Sequence, residues 1–423
     1  MTPPSHILIV GAGAAGLMAG RALARAGKRV SILEARDRCG GRICPLPVEA
    51  FGYPAEGGPE FIHGAASVTW ALMREAGLTL QPFGGRRWRV RNGAFSPGEA
   101  SWPHADRLQR ALSELKVDLP IAEFLDAHFP GPDYAELRRV ITRMVEGYDA
   151  ADPAQASTLG LRDEWLDEGI ESQGRIAQGY GALIEFLAAA CRKLGVTIHL
   201  GTVVTAIEAG NGRIVAKCRD GTSIAADAAI LTVPLPCLSD IALPAALAGK
   251  VAASSDIGFG NIIKILLRFR SRWWAEHDGL DLADLSFLRT DGDVPTWWTQ
   301  YPAEHAVLTG WFGGPRTGKL APLTADELVD WALASLAHSF ALPPERLRRD
   351  LVAARAINWG NDPFARGAYS YPTLKAKAAR AALTRPDGSG VYIAGEALYA
   401  GKDLGTVEAA LATGKAAAEV ILG

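Results

Sequence analysis

Residues 11–16 read GAGAAG, directly after the apolar run HILIV (6–10) and directly before an alanine-rich stretch that reaches Gly27. A strand, a spaced glycine triplet and a helix in that order leave few folds open. Gly11 permits a tight turn, Gly13 lets a phosphate approach the backbone, and Gly16 lets the helix pack on the strand. A second strand, RVSILEA (29–35), follows. The unit is βαβ, the start of a doubly wound parallel sheet. Its helix amino terminus faces a pyrophosphate. Glu34 lies at the end of the second strand, 18 residues after Gly16. A carboxylate there accepts from both ribose hydroxyls and disfavours a 2′-phosphate, so FAD or NAD is expected rather than NADP.

At 423 residues the chain is too long for one ordinary core, and two domains are expected. Residues 103–150 read as several helices, and 180–194 as an amphipathic helix ended by Gly195. Residues 196–233 alternate in short runs, with turns at Asn211-Gly212 and Asp220-Gly221 that signal hairpins. More strands and many tryptophans fall in 262–312, a helix in 324–340, and a strand (391–394) precedes the last helix. The fold class is α/β: a discontinuous Rossmann-like nucleotide domain (1–70, 176–240 and 376–423) with an inserted α+β domain (71–175 and 241–375).

Composition excludes several functions. Apolar residues make up 48% and charged residues 21%, which is globular rather than disordered. A net charge of −2 leaves no electrostatic footprint for nucleic acid or an anionic membrane. No apolar run reaches the roughly 20 residues of a membrane span. MTPPSHILIV lacks the basic region and long apolar core of a secretory leader, so a cytoplasmic protein is expected. Five sparse cysteines do not make a disulfide framework.

Two further features bear on chemistry. ARDRCGGRI (35–43) offers the bare backbone of Gly40-Gly41 and the Arg42 guanidinium to a second pyrophosphate contact. YIAGEALYAGKDLGTVEAALATG (392–414) puts Glu396 just after a strand and Gly405 at a helix start. That arrangement suits a long dinucleotide, with ribityl hydroxyls on a carboxylate and a flavin ring over a positive helix end. The other feature is GNIIKILLRF (260–269), where Lys264 interrupts an otherwise apolar strand. Burying an ammonium is costly unless it is paired. With only 11 lysines against 33 arginines, this one asks for a reason.

Taken in chain order, GAGAAG (11–16), EARDRCGGRI (34–43), AEGGPEFIHG (55–64), LTVP (231–234), GFGNIIKILLRF (258–269), INWGNDPFARGAYSY (357–371) and YIAGEA…GTVEAALATGKAA (392–417) resemble the flavin amine oxidase family. The resemblance runs the length of the chain and implies FAD, a two-domain fold and oxidation of an amine C–N bond by hydride transfer to flavin N5. The product is an imine and then an aldehyde, with H2O2 formed from O2. It extends the cofactor contacts from Gly11, Gly13, Gly16, Glu34, Gly41, Arg42, Glu396 and Gly405 to Ala15, Ala35, Arg36, Gly58, Pro59, Glu60, Phe61, Val204, Thr232, Trp359, Gly395, Thr406 and Val407. Lys264 matches the lysine that holds a water against flavin N5 and supports reoxidation. Tyr369 matches one aromatic wall beside the substrate amine, and Thr406 stands where the other wall is often aromatic. Ala368 replaces the flavin-linking cysteine of mitochondrial monoamine oxidases, so non-covalent FAD is expected. His63, in FIHG, either faces substrate or is structural. Glu60 either holds a cationic substrate tail or is solvated. The expected partners are a small amine and O2, with a homodimer left open and no metal.

Three alternatives compete. Cys39 and Cys44 have the spacing of a disulfide reductase, but no second nucleotide fingerprint follows. An L-amino acid oxidase, or a C–C oxidase or desaturase, uses the same fold. The former needs an arginine for the substrate carboxylate, and Arg87 and Arg289 are candidates. A flavoprotein that uses FAD only as a scaffold is the third.

Overall fold

The computed structural model describes residues 5–98, 104–165, 174–210 and 212–423. Residues 1–4 and Asn211 of the expected Asn211-Gly212 turn lie outside the described residues.

The run His6–Val10 is buried on both faces and pairs in parallel with Arg29–Leu33 on one side and Ala228–Leu231 on the other. Val391–Ile393 and Thr197–His199 complete a five-stranded parallel sheet. Alternate residues of the first strand feed two different cores, as strand geometry requires. Ile7 and Ile9 pack with Leu17, Leu23, Leu187 and Leu411 of the helices Ala14–Arg25, Gly179–Lys193 and Val407–Leu422. Leu8 and Val10 pack against Ile207, Ile214 and Ala226 of a three-stranded antiparallel sheet on the other face. The first and last helices cross closely: a Cβ on Gly414 would collide with the Ala15 carbonyl.

A second sheet has seven strands in the order Leu351–Asn358, Ile262–Phe269, Val307–Gly313, Thr296–Trp298, Leu285–Arg289, Arg86–Arg91, Ala94–Pro97. All pairs are antiparallel except Leu285–Arg289 with Arg86–Arg91. The register aligns Ile265, Gly310, Trp297, Leu288 and Trp88 across five strands on one face. That face packs on Leu328, Leu333 and Leu336 of the helix Ala325–Ser339. Gly310 has no side chain because the Trp297 ring occupies its place. One residue along each strand, the opposite face aligns Lys264, Trp311, Thr296, Arg289 and Arg89. This face looks into a large cavity. The helix Ala135–Gly147 closes part of its wall, presenting Arg139, Val140, Arg143 and Met144 at helical spacing.

Candidate active site

The cavity encloses about 1370 Å³ and runs from the glycine loop, past Lys264, to the far edge of the seven-stranded sheet. Every residue named above as a cofactor or substrate contact lines it except Gly16. Gly16 instead abuts Gly11, where a Cβ would strike the Gly11 carbonyl, so its role is packing.

At the nucleotide end, Gly11 adopts φ +108, and its amide donates to the Leu33 carbonyl (2.8 Å). The Thr232 hydroxyl donates to the carbonyls of Val10 (2.9 Å) and Gly11 (3.1 Å), tying the turn to the neighbouring strand. Glu34 is buried, and its two oxygens accept from the amides of Ala12 (2.7 Å) and Arg36 (2.9 Å). Each carboxylate oxygen retains acceptor capacity for a ribose hydroxyl. The helix Ala14–Arg25 begins at Gly13 with no side-chain cap, which leaves its first-turn amides for an anion. A Cβ on Gly13 would meet only the Gly40 carbonyl at 3.9 Å, and one on Gly395 would meet nothing within 4 Å. This bare backbone cradle fits a dinucleotide. Arg42 donates to Glu396 (2.8 Å) and to the Ala368 carbonyl (2.7 Å), and the Ser370 hydroxyl donates to the other Glu396 oxygen (2.6 Å). Arg36 forks onto Asp362 (3.0 and 2.6 Å). Trp359 donates its indole N–H to the Gly57 carbonyl (3.2 Å).

Lys264 is 0% exposed. Its Nζ donates to Glu60 Oε2 (3.0 Å) and to the Gly58 carbonyl (2.9 Å), and lies 5.5 Å from the centre of the Trp298 ring. Glu60 also accepts from Arg175 Nε (2.8 Å), Gln300 Nε2 (2.8 Å) and Trp298 Nε1 (3.1 Å). Burial alone would raise its pKa. The Lys264 and Arg175 charges and the Gln300 hydrogen bond outweigh burial and hold the carboxyl at about 2. The sequence leaves Glu60 open as a solvated loop acid or a holder of a substrate cation. It is not solvated: the side chain is 8% exposed, accepts from protein donors and lines the cavity.

The two remaining wall residues meet the helical segment. The Tyr369 hydroxyl donates to the Tyr148 carbonyl (2.6 Å). Tyr369 also backs the turn before the last helix, because a Cβ on Gly405 would come within 3.0 Å of its ring. Thr406 caps that helix, accepting from the Ala409 amide (3.1 Å) and donating to the Asp403 carbonyl (2.7 Å). His63 stacks edge-on against Tyr148 with ring centres 6.1 Å apart. Burial presses its pKa down to about 4, so it is neutral in the ordinary pH range. Its open surface faces the cavity. Among residues the sequence did not single out, Arg175, Gln300 and Trp298 surround Glu60. Arg89 and Arg143 line the distal wall. A local signal existed for one of these: RRWRVR (86–91) alternates arginines with Trp88 and Val90, the pattern of a strand with one buried and one open face.

The profile of the flavin containing amine oxidoreductases matches residues 14–422. The chain belongs to this family. It resembles polyamine oxidase 5 of Oryza sativa subsp. japonica, at 28% identity over 402 residues, covering 87% of this chain and 78% of that protein. It resembles lysine-specific histone demethylase 2 of Homo sapiens at 26% identity, over 92% of this chain and 50% of that one. Two solved structures share the fold. Putrescine oxidase bound to putrescine superposes with a TM-score of 0.81 at 20% identity, over 99% of both chains. Cyclohexylamine oxidase from Brevibacterium oxydans IH-35A does so with a TM-score of 0.79 at 22% identity, over 99% of both. Family membership makes the protein a flavin amine oxidoreductase, with FAD as cofactor and an amine as substrate. The disulfide-reductase alternative falls, and Cys39 and Cys44 are free thiols.

Proposed function

We propose that the protein oxidises an amine C–N bond to an imine, which water converts to an aldehyde, with FAD bound non-covalently and O2 as electron acceptor. The observation that carries this reading is the buried Lys264–Glu60 pair, which opens on the same cavity as the glycine cradle. FAD, when bound, supplies the two-electron acceptor for the hydrogen lost from the amine α-carbon. The chain's own residues do the rest. Gly11, Gly13, Glu34 and Arg42 would hold the dinucleotide. Tyr369, Trp298, Trp311 and Phe287 wall the reaction space with rings, which desolvates an amine and favours its neutral form. Neutral His63 adds no competing charge. Lys264 is held in place by Glu60 and Gly58, where it would serve the return of electrons to O2. Positioning and water exclusion, rather than a strong base, would supply most of the acceleration.

Two features support non-covalent FAD. Ala368 stands at the linking position, and burial pushes the thiol of Cys237, the one cysteine lining the cavity among the described residues, up to about 11. The domain division at 1–70, 176–240 and 376–423 against 71–175 and 241–375 belongs to the same proposal, as does a cytoplasmic location.

The test is anaerobic bleaching of the oxidised flavin by a panel of polyamines, aromatic monoamines and L-amino acids. Rapid bleaching by one group supports the reading and chooses the class. Bound flavin that dithionite reduces but no amine bleaches would overturn it and favour a C–C oxidase or a non-catalytic flavoprotein.

A further inference from the structure

We propose that the distal end of the cavity binds an oxyanion, a carboxylate or phosphate carried at the far end of an elongated amine substrate. The inference rests on the amine-oxidation reading for the Lys264 end.

The sheet register sets the geometry. Lys264, Trp311, Thr296, Arg289 and Arg89 are successive cross-strand partners and point to one face. Adjacent strands are about 4.8 Å apart, so the backbone of Arg289 lies about 14 Å from that of Lys264 and Arg89 one strand farther. The same face shows a second route of contacts. Lys264 lies 5.5 Å from the Trp298 ring, Trp298 and Phe287 ring centres are 6.0 Å apart, and the Arg87 guanidinium is 5.9 Å from Phe287. A substrate would thus pass from a charge-paired lysine, across aromatic rings, to arginines.

Among the described residues, the carboxylates at this end pair with only some of its arginines. Glu136 of the helix Ala135–Gly147 takes Arg139 (3.0 Å) and Arg91 (3.3 Å). Asp291 accepts from the Asn92 amide (2.8 Å), and its charge and that of Glu146 act on Arg143. Arg89, Arg143 and Arg289 line the cavity with no hydrogen bond or ion pair among the described residues. Burial, and then the charges of Arg87 and Arg89, press the Arg289 pKa down, which registers the mutual repulsion. Gathered guanidiniums of this kind are matched by carboxylate or phosphate, which they bind through paired hydrogen bonds. A diamine or polyamine would instead bring a second cation against them. An α-amino acid does not meet the spacing either, since its carboxylate is one bond from the oxidised carbon. The anion is therefore remote from the amine.

The wild-type test compares amines of matched, graded chain length ending in a carboxylate, a phosphate, an amine or a methyl group, by the concentration that half-saturates anaerobic flavin bleaching. The expected result is an oxyanion-terminated amine half-saturating at least tenfold below the diamine of equal length, with the better of carboxylate and phosphate naming the source. Arg143→Gln and Arg289→Gln, checked for retained flavin and unchanged unfolding temperature, should each cut the preference for the oxyanion over the methyl terminus about tenfold, the scale of one charged hydrogen bond. Equal or better use of the diamine overturns this inference and leaves amine oxidation standing. If no amine bleaches the flavin, the amine reading falls separately. Calorimetric titration with a dicarboxylate and a diphosphate then decides the distal site: binding weakened by either variant supports it, and no binding overturns it.

Discussion

Lys264 Nζ lies 3.0 Å from Glu60 Oε2, and the two side chains are 0% and 8% exposed. The lysine in the apolar strand is thus a paired charge, not a stray one. Glu60 joins it to Arg175, so one carboxylate serves two buried cations.

Removing that carboxylate should be costly. Glu60→Gln leaves Lys264 and Arg175 without their counter-charge and is expected to lower stability by about 3–5 kcal/mol in urea unfolding. The double variant with Lys264→Met should cost less than the two single changes added together. The pH dependence has a definite sign. With a folded pKa of about 2 against an ordinary 4.5, Glu60 contributes stability above pH 4.5 that is lost as pH falls toward 2. The single variant should lack that acid-side loss.

Lys264→Met keeps the volume of the side chain and leaves Glu60 with Arg175, Gln300 and Trp298. FAD should stay bound. Reoxidation of the reduced flavin by O2, followed in stopped flow, is expected to slow at least tenfold, the scale of removing one preorganised charge. Unchanged reoxidation would remove Lys264 from the reaction.

Glu56 provides a second pH test. Its Oε1 accepts from the Gly181 amide (2.8 Å), its Oε2 has no partner among the described residues, and burial raises its pKa to about 7. The folded state therefore holds a proton that the unfolded chain releases above 4.5. The associated stability is present below pH 4.5 and lost as pH rises through 7. Glu56→Gln should stabilise the protein at pH 8 by up to about 3 kcal/mol and have little effect at about pH 3, well below the ordinary value of 4.5, where both states hold the proton. Equal effects at both pH values would show that the carboxylate carries no burial penalty.

Glu34 supports the glycine turn and faces the nucleotide end. Glu34→Ala orphans the Ala12 and Arg36 amides and removes the ribose acceptor. FAD affinity, measured by fluorescence titration of the apoprotein, should fall at least tenfold. An unaltered Kd would place the adenosine elsewhere.

The parts of the site that sequence made legible are those built from neighbours in the chain. The glycine spacing at 11–16 required a turn between strand and helix, and the structure has Gly11 at φ +108 and a helix from Ala14. Glu34 follows the second strand immediately, as its spacing implied. The alternation in RRWRVR marks the open face of its strand. The surroundings of Glu60 are not legible in its segment, GGPEFIHG. Its partners come from positions 175, 264, 298 and 300.

The amino-acid sequence by itself determined the parallel sheet, the nucleotide cradle, the family and the presence of a lysine in a buried strand. The sheet, the cradle and the lysine follow from periodicity or spacing over a few residues, where local sterics and hydrogen bonding decide the conformation, whereas the family follows from the resemblance of motifs along the whole chain. Tertiary structure alone decided that Lys264 is paired, and that it shares one sheet face with Arg289 and Arg89. The pairing depends on which strands are neighbours and in which register. Register is set by packing the opposite face onto the helix Ala325–Ser339, a contact between segments far apart in the chain.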